Sequence, residues 1–392
     1  MTQQKEKQIK QILERGTEEV IDKSDLLQKL KSGKKLRVKL GIDPTSPNIH
    51  IGRSIPLLKL RDFQELGHQV CFIIGDFTGV IGDTSDKDSE RPMLDEKTIQ
   101  ENIKSYAQQA NKILDSSKCE VSYNSEWLGK LDYLEITKQA NMFSLNEFIS
   151  RENISKRIKE GKRVSLREVL YPLMQGYDSV QLKADVEVGG SDQRFNLLTG
   201  REMQRHYGQE PQNIITNPLI EGTDGHKMSS SRGNTINLFD TANDMFGKIM
   251  SVGDELITRY FTLLTRVDME TVKSYEEEIR NGKNPRDVKI ELAKEIVRMY
   301  HGEKEAQTAE DYFINTFSKK QTPDKMEEIK PSDYNIISIL TESGLASSKT
   351  EARRLIAQNG VRVDEEKVTT EKLTVNPGSV VQKGKIKFLK IN

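Results

Sequence analysis

The chain has 392 residues, more than a single hydrophobic core usually supports, so two or three domains are expected. Its 60 basic and 60 acidic side chains cancel, so any surface for nucleic acid must be a local basic patch rather than a global field. Two cysteines, Cys71 and Cys119, cannot build a cysteine metal site and read as reduced thiols. No apolar stretch nears the roughly 20 residues of a membrane helix, which predicts a cytoplasmic protein with no membrane partner.

In chain order, Lys5 to Leu30 carries apolar residues at irregular helical spacing, and Leu36-Arg-Val-Lys-Leu-Gly-Ile42 alternates as a strand does. After a turn with Pro44 and Pro47, residues Gly52 to Leu66 suit a helix that Gly67 ends. Val70 to Ile74 then reads as a short buried parallel strand. This strand, helix, strand unit predicts an α/β fold, a doubly wound parallel sheet of Rossmann-like type with ligands at the carboxyl ends of its strands.

Residues from about 85 to 163 are mostly polar and helical and read as an insertion between two halves of the sheet. Ser165-Leu-Arg-Glu168 is a capping box opening a helix that contains Pro172, and Ala184 to Val188 reads as a strand stopped by Gly189 and Gly190. The expected domains are a catalytic unit over 1–235, an α-helical domain over 236–317, a Pro- and Lys-rich linker over 318–335, and a small α+β module over 336–392.

Two loops carry the chemistry. His50-Ile-Gly-Arg53 stands where a strand gives way to a helix, and there free N–H groups and the helix dipole favour an anion. Far downstream, Gly225-His-Lys-Met-Ser-Ser-Ser-Arg-Gly-Asn234 combines a cation, hydroxyls and glycine, a composition that can wrap a triphosphate. Either alone is matched by an ordinary polar turn; in this order they resemble the paired signatures of the class I aminoacyl-tRNA synthetases.

Within that class the chain resembles the bacterial-type tyrosyl-tRNA synthetases almost end to end. The most specific blocks are Gly75-Asp-Phe-Thr-Gly-Val-Ile-Gly-Asp83, Tyr171-Pro-Leu-Met-Gln-Gly-Tyr-Asp178 and Gly189-Gly-Ser-Asp-Gln193. Tyr171, Gln175 and Asp178 fall at helical spacing and form one polar stripe. The resemblance implies that Tyr171, Gln175 and Asp83 hold the ammonium of L-tyrosine, that Asp178 accepts the phenolic proton, and that Gln193 orients the substrate. A buried acceptor there penalises phenylalanine, which would leave it unpartnered. Gly52, Gly190, Asp192, Lys227 and Met228 would bind ATP, with His50, Arg53, Thr45, Lys227 and Ser230 acting on its phosphates. Mg2+ would come with the nucleotide and no dedicated protein metal site is implied.

Three positions depart from the family pattern: Arg53 replaces the second signature histidine, Ser230 replaces the second signature lysine, and Lys39 stands where a tyrosine often clamps the phenol. The expectation is that Arg53 supplies the cation Ser230 lacks, and that Asp76 is a candidate second contact to the phenol. In the C-terminal module, Lys349, Arg353 and Arg354 lie on one helical run before Val361-Arg-Val363, which resembles the small RNA-binding module of a ribosomal small-subunit protein. The implied partners are tRNA-Tyr and a second copy of the chain, docked through the insertion near 141–158. Two alternatives remain at this point: a tryptophanyl enzyme of the same fold, or a catalytically silent RNA-binding relative.

Overall fold

The computed structural model describes residues 2–84, 93–318, 326–384 and 387–392. The chain divides into two compact units, one of residues 1–240 with 252–292, the other of 241–251 with 293–392. Residues 252–292, expected within a separate helical domain, thus group with the catalytic unit. The physical reason is a set of bonds to its first helices. Arg15 donates to the carbonyls of Phe261, Thr262 and Val267, and Arg266 binds both oxygens of Asp62 at 2.9 Å.

The first unit is built on a sheet of six strands in the order β1-β6-β5-β2-β3-β4: β1 Glu19–Ile21, β2 Arg37–Ile42, β3 Gln69–Ile74, β4 Cys119–Tyr123, β5 Val186–Gly190 and β6 Asn213–Asn217. All neighbours are parallel except β1, which lies antiparallel to β6. From β2 the chain steps outward through β3 to β4, and then returns to the other side of β2 to add β5 and β6. That reversal makes the gap between the ends of β2 and β5 a topological switch point, where ligands of such sheets bind.

The expected helix after the first turn is Ile51–Glu65, anchored by Ile55, Leu57, Leu58, Leu60 and Phe63, all buried. The helix Leu166–Leu182 starts on the capping box of Ser165 and Glu168. Pro172 inside it cannot donate to the carbonyl of Glu168, and Arg151 supplies that donor at 3.0 Å.

Three strands were not legible as such. β1 is three residues long, β4 is a half-exposed edge strand inside the segment read as a helical insertion, and β6 has only two apolar residues. β6 is nonetheless wholly buried, and the NH2 groups of its asparagines are satisfied: that of Asn213 by Asp25 and the Asp22 carbonyl, that of Asn217 by the Gly16 carbonyl. β5 also runs on through Gly189 and Gly190 instead of stopping before them.

The second unit has its own core, in which Ile336, Ile339, Leu340, Ala352, Ile356, Val361, Val381 and Leu389 meet. Its sheet has the order β7-β11-β10-β8-β9, from β7 Glu327–Ile329, β8 Val361–Val363, β9 Glu366–Lys367, β10 Val380–Lys383 and β11 Lys387–Ile391. Part of the stretch expected as a linker is therefore strand, since β7 pairs in parallel with β11. The linker's residues 319–325, the insertion's 85–92 and residues 385–386 of the C-terminal module lie outside the described residues. No helix among the described residues is long and apolar enough to cross a membrane. Both cysteines carry free thiols, as expected.

Candidate active site

A cleft of about 700 Å3 opens at the switch point and is lined from both signature loops, from the ends of β2 and β5, and from the helix Leu166–Leu182. It collects nearly every site residue expected in this unit: Thr45, His50, Gly52, Arg53, Asp83, Tyr171, Gln175, Asp178, Gly190, Asp192, Gln193, Lys227, Met228 and Ser230. Asp43, Thr78 and Asn124 line it as well. Sequence reasoning gave these three no role, although Thr78 stood inside a quoted block. Asn124 follows the unrecognised strand β4, and recognising that strand would have placed it at a carboxyl end.

The two loops are stitched together by backbone. Ile51 N donates to Ile236 O and Leu238 N to Ile49 O, each at 2.8 to 2.9 Å, so the segment after the second loop pairs with the segment before the first helix. Met228 N bonds Ile220 O, which folds the second loop back on itself and buries the Met228 side chain. Lys227 Nζ reaches Asp192 Oδ2 at 3.1 Å, and the Ser230 hydroxyl lies 3.4 Å from that of Ser46.

At the phosphate end, His50 caps the helix Ile51–Glu65 and is only 8% exposed. Burial, then repulsion from Arg53 and Lys227, depresses its imidazole to about 3, so it is neutral at physiological pH. Gly52 leaves room beside it, for a Cβ there would stand 3.0 Å from His50 Nδ1. Arg53 donates to the Tyr106 hydroxyl at 2.8 Å and sits 3.4 Å from the Thr45 hydroxyl. Gly190 permits a similar approach, since a Cβ would come within 2.5 Å of Asp192 Oδ1.

The neutrality of His50 has a measurable consequence. An unfolded chain protonates histidine near 6.5, whereas the folded protein resists until about 3, so unfolding takes up a proton across that window. Stability present above pH 6.5 should fall by about 1.4 kcal/mol for each pH unit below it from this residue. Thermal unfolding followed between pH 7 and about 5 should show His50→Asn flattening the acid slope by that amount; an unchanged slope would assign the acid loss elsewhere. His68, also depressed by burial, to about 4, acts in the same direction.

At the other end, Tyr171 donates to Asp43 Oδ2 at 2.7 Å, and Gln193 Nε2 to Asp83 Oδ2 at 2.7 Å. Asp178 is 3% exposed; Trp127 Nε1 donates to one of its oxygens at 2.7 Å and Asn124 Nδ2 to the other at 3.3 Å. Burial pushes its carboxyl up to about 7, against the attraction of Lys39 and those two hydrogen bonds. Asp76 does not line the cleft. It accepts from Phe77 N and from Ser125 N and Oγ, so it caps two chain segments, and Asn124 is the polar group beside Asp178 instead.

In the second unit, Lys349, Arg353 and Arg354 lie exposed on the helix Lys349–Ala357, with Arg353 paired to Glu371 at 3.0 Å. Among the described residues no group of three or more His, Cys, Asp or Glu is arranged to hold a metal ion.

Comparison with known proteins agrees with this geometry. Residues 31–318 match the family model of class I tRNA synthetases (W and Y), and residues 336–381 match the S4 domain. A tyrosine–tRNA ligase of Thermotoga maritima is 46% identical over 99% of this chain and 98% of its own length. One of Mannheimia succiniciproducens is 46% identical over 97% of each. A tyrosyl-tRNA synthetase of Archaeoglobus fulgidus, solved with L-tyrosine, shares the fold with a TM-score of 0.63 at 24% identity, over 78% of this chain and 99% of that one.

Proposed function

This chain belongs to the class I tRNA synthetases of the tryptophan and tyrosine group, and on that premise we propose how its cleft activates tyrosine and passes it to tRNA. The reaction is tyrosine–tRNA ligation. The tyrosine carboxylate attacks the α-phosphate of ATP to give tyrosyl-adenylate and pyrophosphate, and the tyrosyl group then moves to the terminal adenosine of the tRNA. The observation that carries the site assignment is that a buried amino-acid end, with Tyr171, Gln175 and Asp178, shares one cleft with a cationic phosphate end, with Arg53 and Lys227.

No enzyme nucleophile is required, so catalysis consists of holding reactants in line and stabilising charge on the phosphates. Asp178 accepts the phenolic proton with Asn124 beside it. Tyr171, Gln175 and Asp83 receive the ammonium, and Gln193 orients the substrate. Asp192 takes the ribose, with Gly52 and Gly190 allowing close approach to the nucleotide. Neutral His50 donates one hydrogen bond to a phosphate oxygen, and Thr45, Arg53, Lys227, Met228 and Ser230 complete that wall. A Mg2+ ion bound with the nucleotide would supply further positive charge to its phosphates, with no dedicated protein ligand set for it among the described residues. Exchange of pyrophosphate into ATP that depends on tyrosine tests the reading. Exchange driven by tryptophan alone, or by neither amino acid, would overturn it.

The inserted helices leave Tyr133, Leu134, Leu145 and Ile158 exposed, with Tyr133 at 89%. Such an apolar surface supports docking of a second copy there, in a cytoplasmic homodimer. Lys349, Arg353 and Arg354 supply backbone contacts to tRNA-Tyr. Because β7 belongs to the C-terminal sheet, the truncation that tests this ends the chain at Ser318 rather than after Pro331. That truncated form should keep tyrosine-dependent exchange within about twofold and lose at least about tenfold in tRNA charging at low salt, with the difference from the full chain shrinking as salt rises. Loss of both activities together would contradict a separate RNA-binding role.

A further inference from the structure

Beneath the amino-acid end of the cleft lies a pair of charges that the reaction does not touch. Lys39 and Glu187 are register partners on the adjacent strands β2 and β5, are fully buried, and meet at 2.9 Å. Parallel strands covered on both faces are ordinarily apolar throughout, and a desolvated ion pair is a costly replacement for packing. Resting on the tyrosine-recognition reading above, we infer that Lys39 and Glu187 are positioning residues for tyrosine: their ion pair fixes the direction of an amide relay that runs through Gln175, Asn196 and Gln193 to Asp83.

The argument follows from which atoms can donate. A lysine ammonium only donates and a carboxylate only accepts, whereas a glutamine or asparagine amide can lie either way round. Glu187 Oε1 accepts from Lys39 and, at 3.4 Å, from Gln175 Nε2; its Oε2 accepts from Ser179 Oγ at 3.0 Å and from Gln212 Nε2. The NH2 of Gln175 is thereby committed to Glu187, and its oxygen turns to Asn196 Nδ2 at 2.9 Å. The same Nδ2 donates to Gln193 Oε1 at 3.1 Å, which leaves the NH2 of Gln193 for Asp83 at 2.7 Å. An acceptor-only group at each end, Glu187 and Asp83, forces both glutamine oxygens toward the one asparagine between them. Only one assignment of the three amides satisfies that chain, and two of those amides, Gln175 and Gln193, line the cleft together with Asp83.

Lys39 also holds the helix that carries the specificity group. It donates to Gln175 O at 3.0 Å and to Ser179 Oγ at 2.7 Å, bracketing the turn on which Asp178 sits. Asp178 is faced by Lys39 from β2, Glu187 from β5, Tyr171 on its own helix, and Asn124 and Trp127 from the segment after β4. Lys39 is the cation whose attraction opposes burial of its carboxylate. Removing Lys39 should therefore loosen the relay and raise the pH at which Asp178 ionises.

The test is tyrosine-dependent pyrophosphate exchange across pH 6 to 9 in the full-length chain. The parent is measured first, and silence there would strike the function itself rather than this inference. In Lys39→Met/Glu187→Gln, which leaves neither member of the pair unpartnered, the KM for tyrosine should rise at least about tenfold and its acid limb should move up, since the attraction of Lys39 for Asp178 outweighs the repulsion of Glu187 lost with it. The KM for ATP should stay within about twofold, and Lys39→Arg should restore the parent pH profile. Should the double variant not fold, Ser179→Ala, which takes one contact from each charge, should raise the tyrosine KM several-fold and shift the limb the same way. A folded variant with the parent's tyrosine KM and pH profile would overturn the inference.

Discussion

Asp178→Asn should raise the KM for tyrosine by about 10- to 100-fold and bring phenylalanine-dependent exchange toward the level of tyrosine. The carboxylate is buried, and its two oxygens already accept from Trp127 and Asn124, so it is held as a fixed acceptor with lone pairs left for a phenol. An asparagine presents a donor where one oxygen stood: turned toward Trp127 or Asn124 it meets another donor, and turned toward the phenol it no longer offers the charged acceptor to which the hydroxyl donates. A hydrogen bond to a charged acceptor contributes about 1.5–3 kcal/mol, which sets the size of the loss.

The same variant should abolish a pH effect. Burial raises Asp178 to about 7 in the folded protein, above its unfolded value of 3.8, so folding favours the protonated form. The stability contributed by this group is full below 3.8 and is lost as pH rises through about 7. Bound tyrosine, by donating to the carboxylate, pulls the other way. Its KM should therefore climb as pH falls below about 7 in the parent and stay level in Asp178→Asn. A parent profile that is flat between pH 6 and 8 would remove Asp178 as the phenol acceptor.

Much of this site could be read from residue types because its logic is local. The helix start at His50, the capping box at Ser165 and the stripe of Tyr171, Gln175 and Asp178 each follow from spacing along one element. What escaped depended on partners distant in sequence. β6 looked too polar for a central strand, since nothing in Asn213–Asn217 says that Asp25 and the Gly16 carbonyl will accept from the NH2 groups of its asparagines. β4 was hidden by its half-exposed edge position, and with it went Asn124. Lys39 was visible as a departure, yet its meaning needed Glu187, a charge in the middle of another stretch read as a strand. The burial of both strands, which only the fold shows, is what makes two such charges a pair. The expectation for Asp76 failed for the converse reason: a carboxylate at a strand end serves the nearest free N–H groups, here those of Phe77 and Ser125.

Arg53→Ala should slow adenylate formation by about 100- to 1,000-fold with little change in the KM for tyrosine, the size expected for a charged group that stabilises phosphate in the transition state. Its guanidinium is already in place, held by the Tyr106 hydroxyl at 2.8 Å and beside that of Thr45, so no reorganisation is needed when ATP enters. The second loop contributes Lys227 to the same cleft and, at Ser230, a hydroxyl instead of a second cation. If the cation has moved from the loop to the helix start, a lysine at position 230 supplies charge from the opposite wall. Ser230→Lys should then recover about tenfold of the rate in the Arg53→Ala background, and it should add little to the parent, which has that charge already. In single-turnover kinetics, the cycle combining Arg53→His with Ser230→Lys should be strongly non-additive; effects that simply multiply would mean that the two positions act on different parts of the reaction.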